Sequence, residues 1–446
     1  MSTTPVALKS QPATTFSLVH KLDDAIQHLG HSSSTDQWAV GSETFKQLFN
    51  SASTSDRTQL LLHLGSKFAV DKNALDGAIS VYQRNNLATN EVRRASTPLY
   101  QLLFQAVGNR FGGVKCMCDL RAHLLETLSE NSDATLRRIE ESSKELLTMW
   151  FCLSNLTLER LTWQSPADIL HKVAKYEAVH PVAGITDLQR RVGTARRCFL
   201  FTHEAMPREP LVVVHVALTR TVADNLQDIL KAGEEQKDQD DREATTAIYY
   251  SISSTQKGLA GIDLGNLLIK GVVEELERDL PRVKTHSTLS PIPGFRAWVI
   301  RSLKGNSEFG DIIDDRIMAA MQNVTGGAVD KEETTKLLLQ ALSPSRIESS
   351  QVATLKDILL RLSAIYLLRA KRNGFALNPV ANFHIRNGAE VYRLNWAADT
   401  SARGMERSFG IMVNYRYNLD ELHDNSESYT SRKMIKMHPQ VSQLLD

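Results

Sequence analysis

Apolar residues recur at helical spacing through the first third of the chain. Phe45, Leu48 and Phe49 share one face, and Leu60, Leu61, Leu64 and Phe68 follow after Ser55. Pro98 opens a further run with Leu99, Leu102, Leu103 and Val107 in phase. Leu136, Ile139, Leu146, Trp150 and Leu153 mark a longer amphipathic helix that begins near Ser132-Asp133. No β-branched alternation interrupts these segments. The pattern predicts an all-α bundle over residues 1–160, a packing and oligomerisation scaffold without chemistry of its own.

Beyond Ser165-Pro166-Ala167-Asp168 the pattern changes. That tetrapeptide reads as a helix start, with Ser165 as N-cap and Pro166 in the first helical position. Cys198–Phe201 and Leu211–Leu218 are strand-like runs joined by the Pro-rich turn Met206–Pro210, and Ala247–Ser253 is the next strand. The charged segment Lys231–Arg242 between them reads as a solvated loop. After Ser253 come a glycine-containing loop and a helix over Leu264–Leu276. Residues 297–372 return to helical period and read as a helical insertion. Ala389–Trp396 reads as the last strand. The expected class is α+β: a helical bundle, then a mixed-sheet domain over residues 161–446.

Composition narrows the functions. The chain has 446 residues, 42% of them hydrophobic and 23% charged, enough to build a sizeable core. A formal net charge of +1 gives no whole-molecule reason to bind nucleic acid or a membrane, so any anion site is local. No apolar run reaches the ~20 residues a membrane helix needs. Cys116, Cys118, Cys152 and Cys198 are too few for a disulfide framework and read as free thiols. Cys116-x-Cys118 lacks a second pair, and His203-Glu204 does not continue to a second histidine, so no metal site is expected. No targeting signal stands out at either end, which makes the cytoplasm the expected compartment.

Three places carry candidate chemistry. The loop Gln256-Lys257-Gly258-Leu259-Ala260-Gly261-Ile262-Asp263-Leu264-Gly265 runs into a helix. Glycines let backbone approach a ligand, and the free N–H groups of a helix start favour an anion, so the loop is either a phosphate cradle or a tight turn. Ser287-Thr288-Leu289-Ser290-Pro291-Ile292-Pro293-Gly294-Phe295 ends a strand sharply and sets Ser290 at its lip, either as a cap or as a reactive hydroxyl. Asn378-Pro379-Val380-Ala381-Asn382-Phe383-His384 places a lone histidine between an Asn-Pro break and an alternating pattern. Asn378 and Asn382 are amide partners that could fix its tautomer. The same stretch closes on Asn414-Tyr415-Arg416-Tyr417. Arg190, Arg191, Arg196 and Arg197 suit either phosphates or a salt-bridged face.

The glycine loop resembles the acyl-CoA pyrophosphate loop of the N-acetyltransferase superfamily. Ser-Leu-Ser-Pro-Ile-Pro-Gly-Phe, Asn-Pro-Val-Ala-Asn-Phe-His, Asn-Tyr-Arg-Tyr and His180-Pro181-Val182 with Asp187–Gly193 are similar, in order and spacing, to segments of malonyl-CoA decarboxylases. The resemblance covers residues 160–420 by motif and the helical part in kind. It implies an acetyltransferase-like catalytic domain and a homotetramer. It implies conversion of malonyl-CoA to acetyl-CoA and CO2 without cofactor or metal, because the thioester is its own electron sink. By the same resemblance His384 donates a proton, Ser290 is its hydrogen-bonding or relay partner and Tyr417 lines the site. The loop Ala260, Gly261, Ile262, Asp263, Leu264, Gly265 and Asn266 holds CoA. Two other functions compete: an acyl-CoA-dependent N-acyltransferase, and an acyl-CoA-binding regulator without turnover.

Overall fold

Short polar side chains start four of the N-terminal helices. Ser34 accepts from the Gln37 N–H while Gln37 reaches back to the Ser34 N–H, a reciprocal cap on the helix Thr35–Ser51. Ser53, Asp71 and Asp133 cap the helices Thr54–Lys67, Lys72–Arg84 and Ala134–Trp150 by accepting first-turn N–H groups, without the reciprocal bond. The computed structural model describes residues 15–27, 29–30, 34–231, 241–262, 264–306, 311–342 and 353–446. They divide into two compact units. The first comprises residues up to Thr157 with Phe201–Val212 and Ser254–Gly265; the second comprises Leu158–Leu200, Val213–Ser253 and Asn266–Asp446.

In the first unit the helices bury most of the residues whose spacing marked them. Phe45, Leu48, Phe49, Leu60, Leu61, Leu64, Phe68, Leu103, Val107, Leu136, Ile139 and Leu146 are buried, and Leu99 and Leu102 are half-buried. The phase of the last helix does not extend as far as its sequence pattern. The helix stops at Trp150, Phe151 turns inward, and Leu153 falls in a short 3₁₀ turn with 57% of its surface exposed.

The second unit is organised by a sheet. Its strands are β1 Leu156–Leu161, β2 Arg196–His203, β3 Val212–Thr219, β4 Thr246–Ser254, β5 Thr285–Thr288, β6 Ser290–Pro291, β9 Glu390–Asn395 and β10 Met412–Tyr417; β7 Lys371–Arg372 and β8 Phe375–Ala376 form a separate small pair. The order is β1-β2-β3-β4-β5-β10-β6, with β9 also on β10. The sheet is mixed. β4 and β5 run parallel, with the crossover helix Leu264–Asp279 between them, and β10 is antiparallel to β5, β6 and β9. Among the described residues, the helices Phe295–Leu303, Asp315–Thr325, Lys331–Leu342 and Lys356–Leu368 lie between β6 and β7.

Two local expectations are corrected. The helix after β1 is Ala167–Tyr176, and Ser165 does not cap it: its hydroxyl accepts the Thr162 N–H at 3.0 Å, closing the turn out of β1. Ala389–Trp396 contains β9, but β10 follows it, so the last strand is the one ending in Asn-Tyr-Arg-Tyr. Alternation alone hides β10. Met412, Val413, Asn414 and Tyr415 are buried on both faces, and such a strand shows no polar side.

Candidate active site

Asn378 and Pro379 open a helix rather than interrupt the chain. The Asn378 side-chain oxygen accepts the Ala381 N–H at 2.8 Å, and Pro379 takes the first helical position, where no N–H is missed. The helix Pro379–Arg386 carries His384 in its last turn. Asn378 also donates to the Pro293 carbonyl at 2.9 Å, which ties the start of this helix to the Pro-Gly turn after β6. Neither asparagine fixes the imidazole. Asn378 is spent on the cap, and the Asn382 side-chain oxygen accepts from the Tyr429 hydroxyl at 2.9 Å.

The imidazole is held by hydroxyls. His384 Nδ1 lies 2.7 Å from the Tyr417 hydroxyl and Nε2 lies 3.3 Å from Ser290 Oγ. Residues separated by 94 and 33 positions thus meet at one ring. The register of the sheet accounts for this. Ser290 sits opposite Val413 on β10, and Tyr417, four residues on, faces the same side as Tyr415. Tyr415 stacks on His384 with ring centroids 4.5 Å apart and planes at 23°.

A third hydroxyl completes the group. Ser290 Oγ donates to Thr288 Oγ1 at 2.9 Å, and Thr288 Oγ1 accepts the Tyr415 backbone N–H at 3.1 Å. Thr288 was not singled out by sequence. Extended-chain period supplies the missing signal, since residues two apart along extended backbone point the same way, here from the end of β5 to the start of β6.

Burial governs the electrostatics. His384 is 3% exposed, and loss of hydration pushes its pKa down to about 3, so the imidazole is neutral at physiological pH. Among the described residues no carboxylate hydrogen-bonds to it; its partners are Ser290 and Tyr417. The Tyr415 hydroxyl is buried without a hydrogen-bond partner among the described residues, and burial raises its pKa well above the usual value. A second neutral histidine lies nearby on β5. His286 Nδ1 is 2.9 Å from the Tyr249 hydroxyl, burial lowers its pKa to about 4, and the Tyr249 ring sits edge-on to Tyr417 at 6.4 Å.

The glycine loop belongs to the first unit. Lys257–Leu259 forms a 3₁₀ turn, and Gly258 packs so tightly on the Cys118 backbone that a Cβ would lie 1.8 Å from its carbonyl oxygen. Arg121 donates to the Gly258 carbonyl at 2.5 Å and pairs with Glu140, locking the turn to the helices Gly113–Glu130 and Ala134–Trp150. Gly261 is left-handed with φ 76°, and the Lys144 ammonium lies 3.8 Å from where its Cβ would stand. Lys144, on the helix Ala134–Trp150, is a cation beside this turn that sequence spacing did not mark. Of the loop residues, Ala260, Gly261, Ile262, Leu264 and Gly265 are described; Asp263 and the side chain of Asn266 lie outside the described residues.

The arginine cluster resolves toward structure. Arg191 forks onto Asp187 at 3.1 and 2.9 Å and bonds the His180 and Pro181 carbonyls; Arg197 pairs with Asp241 at 2.7 Å; Arg196 bonds the Ala195 and Ile229 carbonyls. His215 is buried as expected of an apolar strand, but Glu177 Oε2 lies 3.4 Å from its Nε2. Cys116, Cys118 and Cys198 are buried free thiols and Cys152 is exposed. No helix among the described residues is long and apolar enough to cross a membrane.

The serine, histidine and tyrosine sit in a sequence whose relatives are known. The profile of the malonyl-CoA decarboxylase C-terminal domain matches residues 154–446, and that of the N-terminal domain matches residues 68–151. The chain belongs to the malonyl-CoA decarboxylase family. A mitochondrial malonyl-CoA decarboxylase of Anser anser anser is 43% identical over 358 residues, 79% of this chain and 71% of the relative. That of Rattus norvegicus is 40% identical over 409 residues, 88% and 82%. The crystal structure of a malonyl-CoA decarboxylase from Rhodopseudomonas palustris superposes with a TM-score of 0.81 at 33% identity, covering 97% of this chain and all of that one. These findings correct the expected cytoplasmic compartment, because the curated relatives are named as mitochondrial enzymes.

Proposed function

We propose that this decarboxylase family member converts malonyl-CoA to acetyl-CoA and CO2 through a thioester enolate protonated by a Ser290–His384 relay. The observation that carries the relay is one neutral, buried imidazole with a hydroxyl on each nitrogen. Cleavage of the bond between the malonyl carboxylate and the α-carbon releases CO2. Its electron pair moves into the thioester, giving an enolate. The enolate is a far stronger base than a hydroxyl oxygen, so it does not require an imidazolium preloaded in the resting enzyme. Ser290 gives its proton to the α-carbon, His384 Nε2–H replaces it, and solvent restores the histidine. One proton is consumed per turnover. Tyr417 donates to Nδ1, which keeps the proton on Nε2 and the ring aimed at Ser290. The thioester is the electron sink, so the reaction calls for neither cofactor nor metal.

The loop Ala260–Asn266 binds CoA in this reading. Support comes from the left-handed Gly261, the exposed Lys144 beside it and the helix starting at Leu264, whose first N–H groups favour a phosphate. Assembly into a homotetramer through the helical unit, and a mitochondrial compartment as in the curated relatives, complete the proposal. Sedimentation and cell fractionation test them.

The deciding experiment is incubation with malonyl-CoA alone. Acetyl-CoA and CO2 in equal amounts, undiminished by EDTA, are expected. Turnover that appears only when an amine is added would instead identify an N-acyltransferase. Tight binding without product would identify a regulator.

A further inference from the structure

A second cleft, of about 280 Å³, opens in the sheet unit on the side of β10 away from His384. Met412 lines it, whereas Tyr415 and Tyr417 contact the imidazole; strand alternation sends these to opposite faces. Pro291, paired with Met412, forms part of its apolar wall with Leu226. Its volume is at the lower end for small-molecule sites.

Two residues that line the cleft each carry a buried acceptor atom with no hydrogen-bond partner among the described residues. His180 is 8% exposed, hydrogen-bonds the Tyr250 backbone, and leaves Nε2 without a hydrogen bond. The bond to a carbonyl puts the proton on Nδ1, so Nε2 is a bare lone pair. Gln227 donates its amide to Asp399 Oδ1 at 3.1 Å, which fixes the amide orientation and leaves Oε1 buried and unbonded. A buried acceptor left without a donor is costly, so each calls for an O–H or N–H from something in the cleft.

Charge supplies the second half of the specificity. Two guanidinium residues, Arg403 and Arg407, and one carboxylate residue, Asp399, line the cleft; the exposed Glu406, which also acts on Arg407, is not part of the lining. Arg403 is committed to the Ala178 and Val179 carbonyls, and Asp399 to Gln227 and the Ser401 N–H. Arg407 is partly buried and makes no hydrogen bond among the described residues. A positive excess disfavours an ammonium and favours an anion that Arg407 can fork onto.

We propose that this cleft is a binding site, separate from the decarboxylation site, for a short hydroxycarboxylate, its carboxylate on Arg407, its hydroxyl at His180 Nε2 or Gln227 Oε1, and its carbon chain on Leu226, Pro291 and Met412. The proposal stands independently of the assigned reaction.

The test is ligand-observed NMR and calorimetry on the full chain with lactate, 3-hydroxybutyrate and 4-hydroxybutyrate. Butyrate lacks the hydroxyl and 1,3-butanediol lacks the charge. At least one hydroxycarboxylate is expected to bind, and to keep binding when CoA is saturating. Butyrate and 1,3-butanediol are expected to bind about tenfold more weakly, and Arg407→Gln to weaken the hydroxycarboxylate by about tenfold or more. Gln227→Met, which removes the orphan acceptor without adding charge, is the second variant should Arg407→Gln fail to fold. Absence of binding by all three acids would mean that water alone fills the cleft and would overturn the proposal. So would displacement by CoA, or affinity unchanged in both variants.

Discussion

Two buried histidines of the sheet unit end in opposite states. His384 is surrounded by hydroxyls and aromatic rings, and loss of hydration alone pushes it to about 3. His215 is buried still more completely, and burial again opposes its charge. Cys198 and Tyr250 beside it and the Glu177 carboxylate outweigh that effect and hold its pKa well above the ordinary value. Glu177 is itself pulled down to about 2; burial works to raise it, but His215, the His180 N–H and the Ser251 hydroxyl prevail. Burial therefore does not decide what a histidine does. The partners decide: Cys198, Tyr250 and the Glu177 carboxylate favour the charged ring of His215, and hydroxyls leave a neutral ring able to exchange a proton.

The comparison breaks most directly at His384. Replacing it with alanine is expected to lower kcat by about 10²–10⁴, the range of general acid–base catalysis, with CoA affinity nearly unchanged by calorimetry. Equal turnover would take the ring out of the reaction. Stability is expected to move the other way with pH. The unfolded chain protonates this histidine near pH 6.5 and the folded chain near 3, so the unfolded state binds more protons as pH falls between them. The wild type is thereby destabilised by up to about 1.4 kcal/mol per pH unit in that window, and His384→Gln should show a shallower loss in denaturant titrations at pH 7, 6 and 5.

The second prediction concerns the cation. Glu177→Gln removes the carboxylate from a buried pair and is expected to cost about 3–5 kcal/mol in unfolding free energy at pH 7, with kcat changed far less than in His384→Ala. The pH dependence has the opposite sign to that of His384. The raised pKa of His215 contributes stability that is fully present below about pH 6.5 and is lost as pH rises through the folded value. Glu177 contributes stability present above its unfolded value of about 4.3 and lost as pH falls through about 2. The melting curve of Glu177→Gln should therefore lose the wild-type advantage seen near pH 5 to 6.

The same contrast separates what could be read from sequence from what could not. Ser290, His384 and Tyr417 were legible because they sit in short runs of unusual composition that resemble a family, and the structure brings the three together. The helix carrying His384 was legible in principle, since Asn-Pro is a cap followed by the first helical residue. A pattern of alternating residues further on masked it. The Glu177–His215 pair was not legible. Its members are 38 positions apart, one in a loop and one in an apolar strand, and only the packing of that loop on β3 and β4 joins them. The polar wall at His180 and Gln227 escaped for the same reason, because an orphan acceptor is defined by what does not reach it.

Ser290→Ala sharpens the comparison at intermediate size. It leaves His384 neutral and held by Tyr417 but removes the hydroxyl between the ring and the substrate. A loss of roughly 10–10² in kcat is expected, smaller than for His384→Ala because water can enter where the hydroxyl stood. Exchange at the α-carbon tests the role: acetyl-CoA incubated in D2O should pick up deuterium more slowly in the variant, by a similar factor. An unchanged exchange rate would reduce Ser290 to a strand cap.

Thr288→Val tests the smallest link. Thr288 Oγ1 accepts the Tyr415 N–H and receives the Ser290 proton, so it fixes which way the Ser290 hydroxyl points. Valine keeps the β-branched shape on a fully buried strand position, so the fold should survive, although the Tyr415 N–H loses its partner. Freed from Thr288, the serine hydroxyl can donate to His384 Nε2 instead, and the ring must then carry its proton on Nδ1 and donate to Tyr417. That is the wrong tautomer for passing a proton from the ring to the serine. A three- to tenfold fall in kcat is expected, worth about 0.7–1.4 kcal/mol on the barrier, with KM unchanged. Thr288→Ser, which restores the hydroxyl, should recover most of the rate. If serine does no better than valine, the effect comes from packing, and the orientation of Ser290 is set by His384 alone.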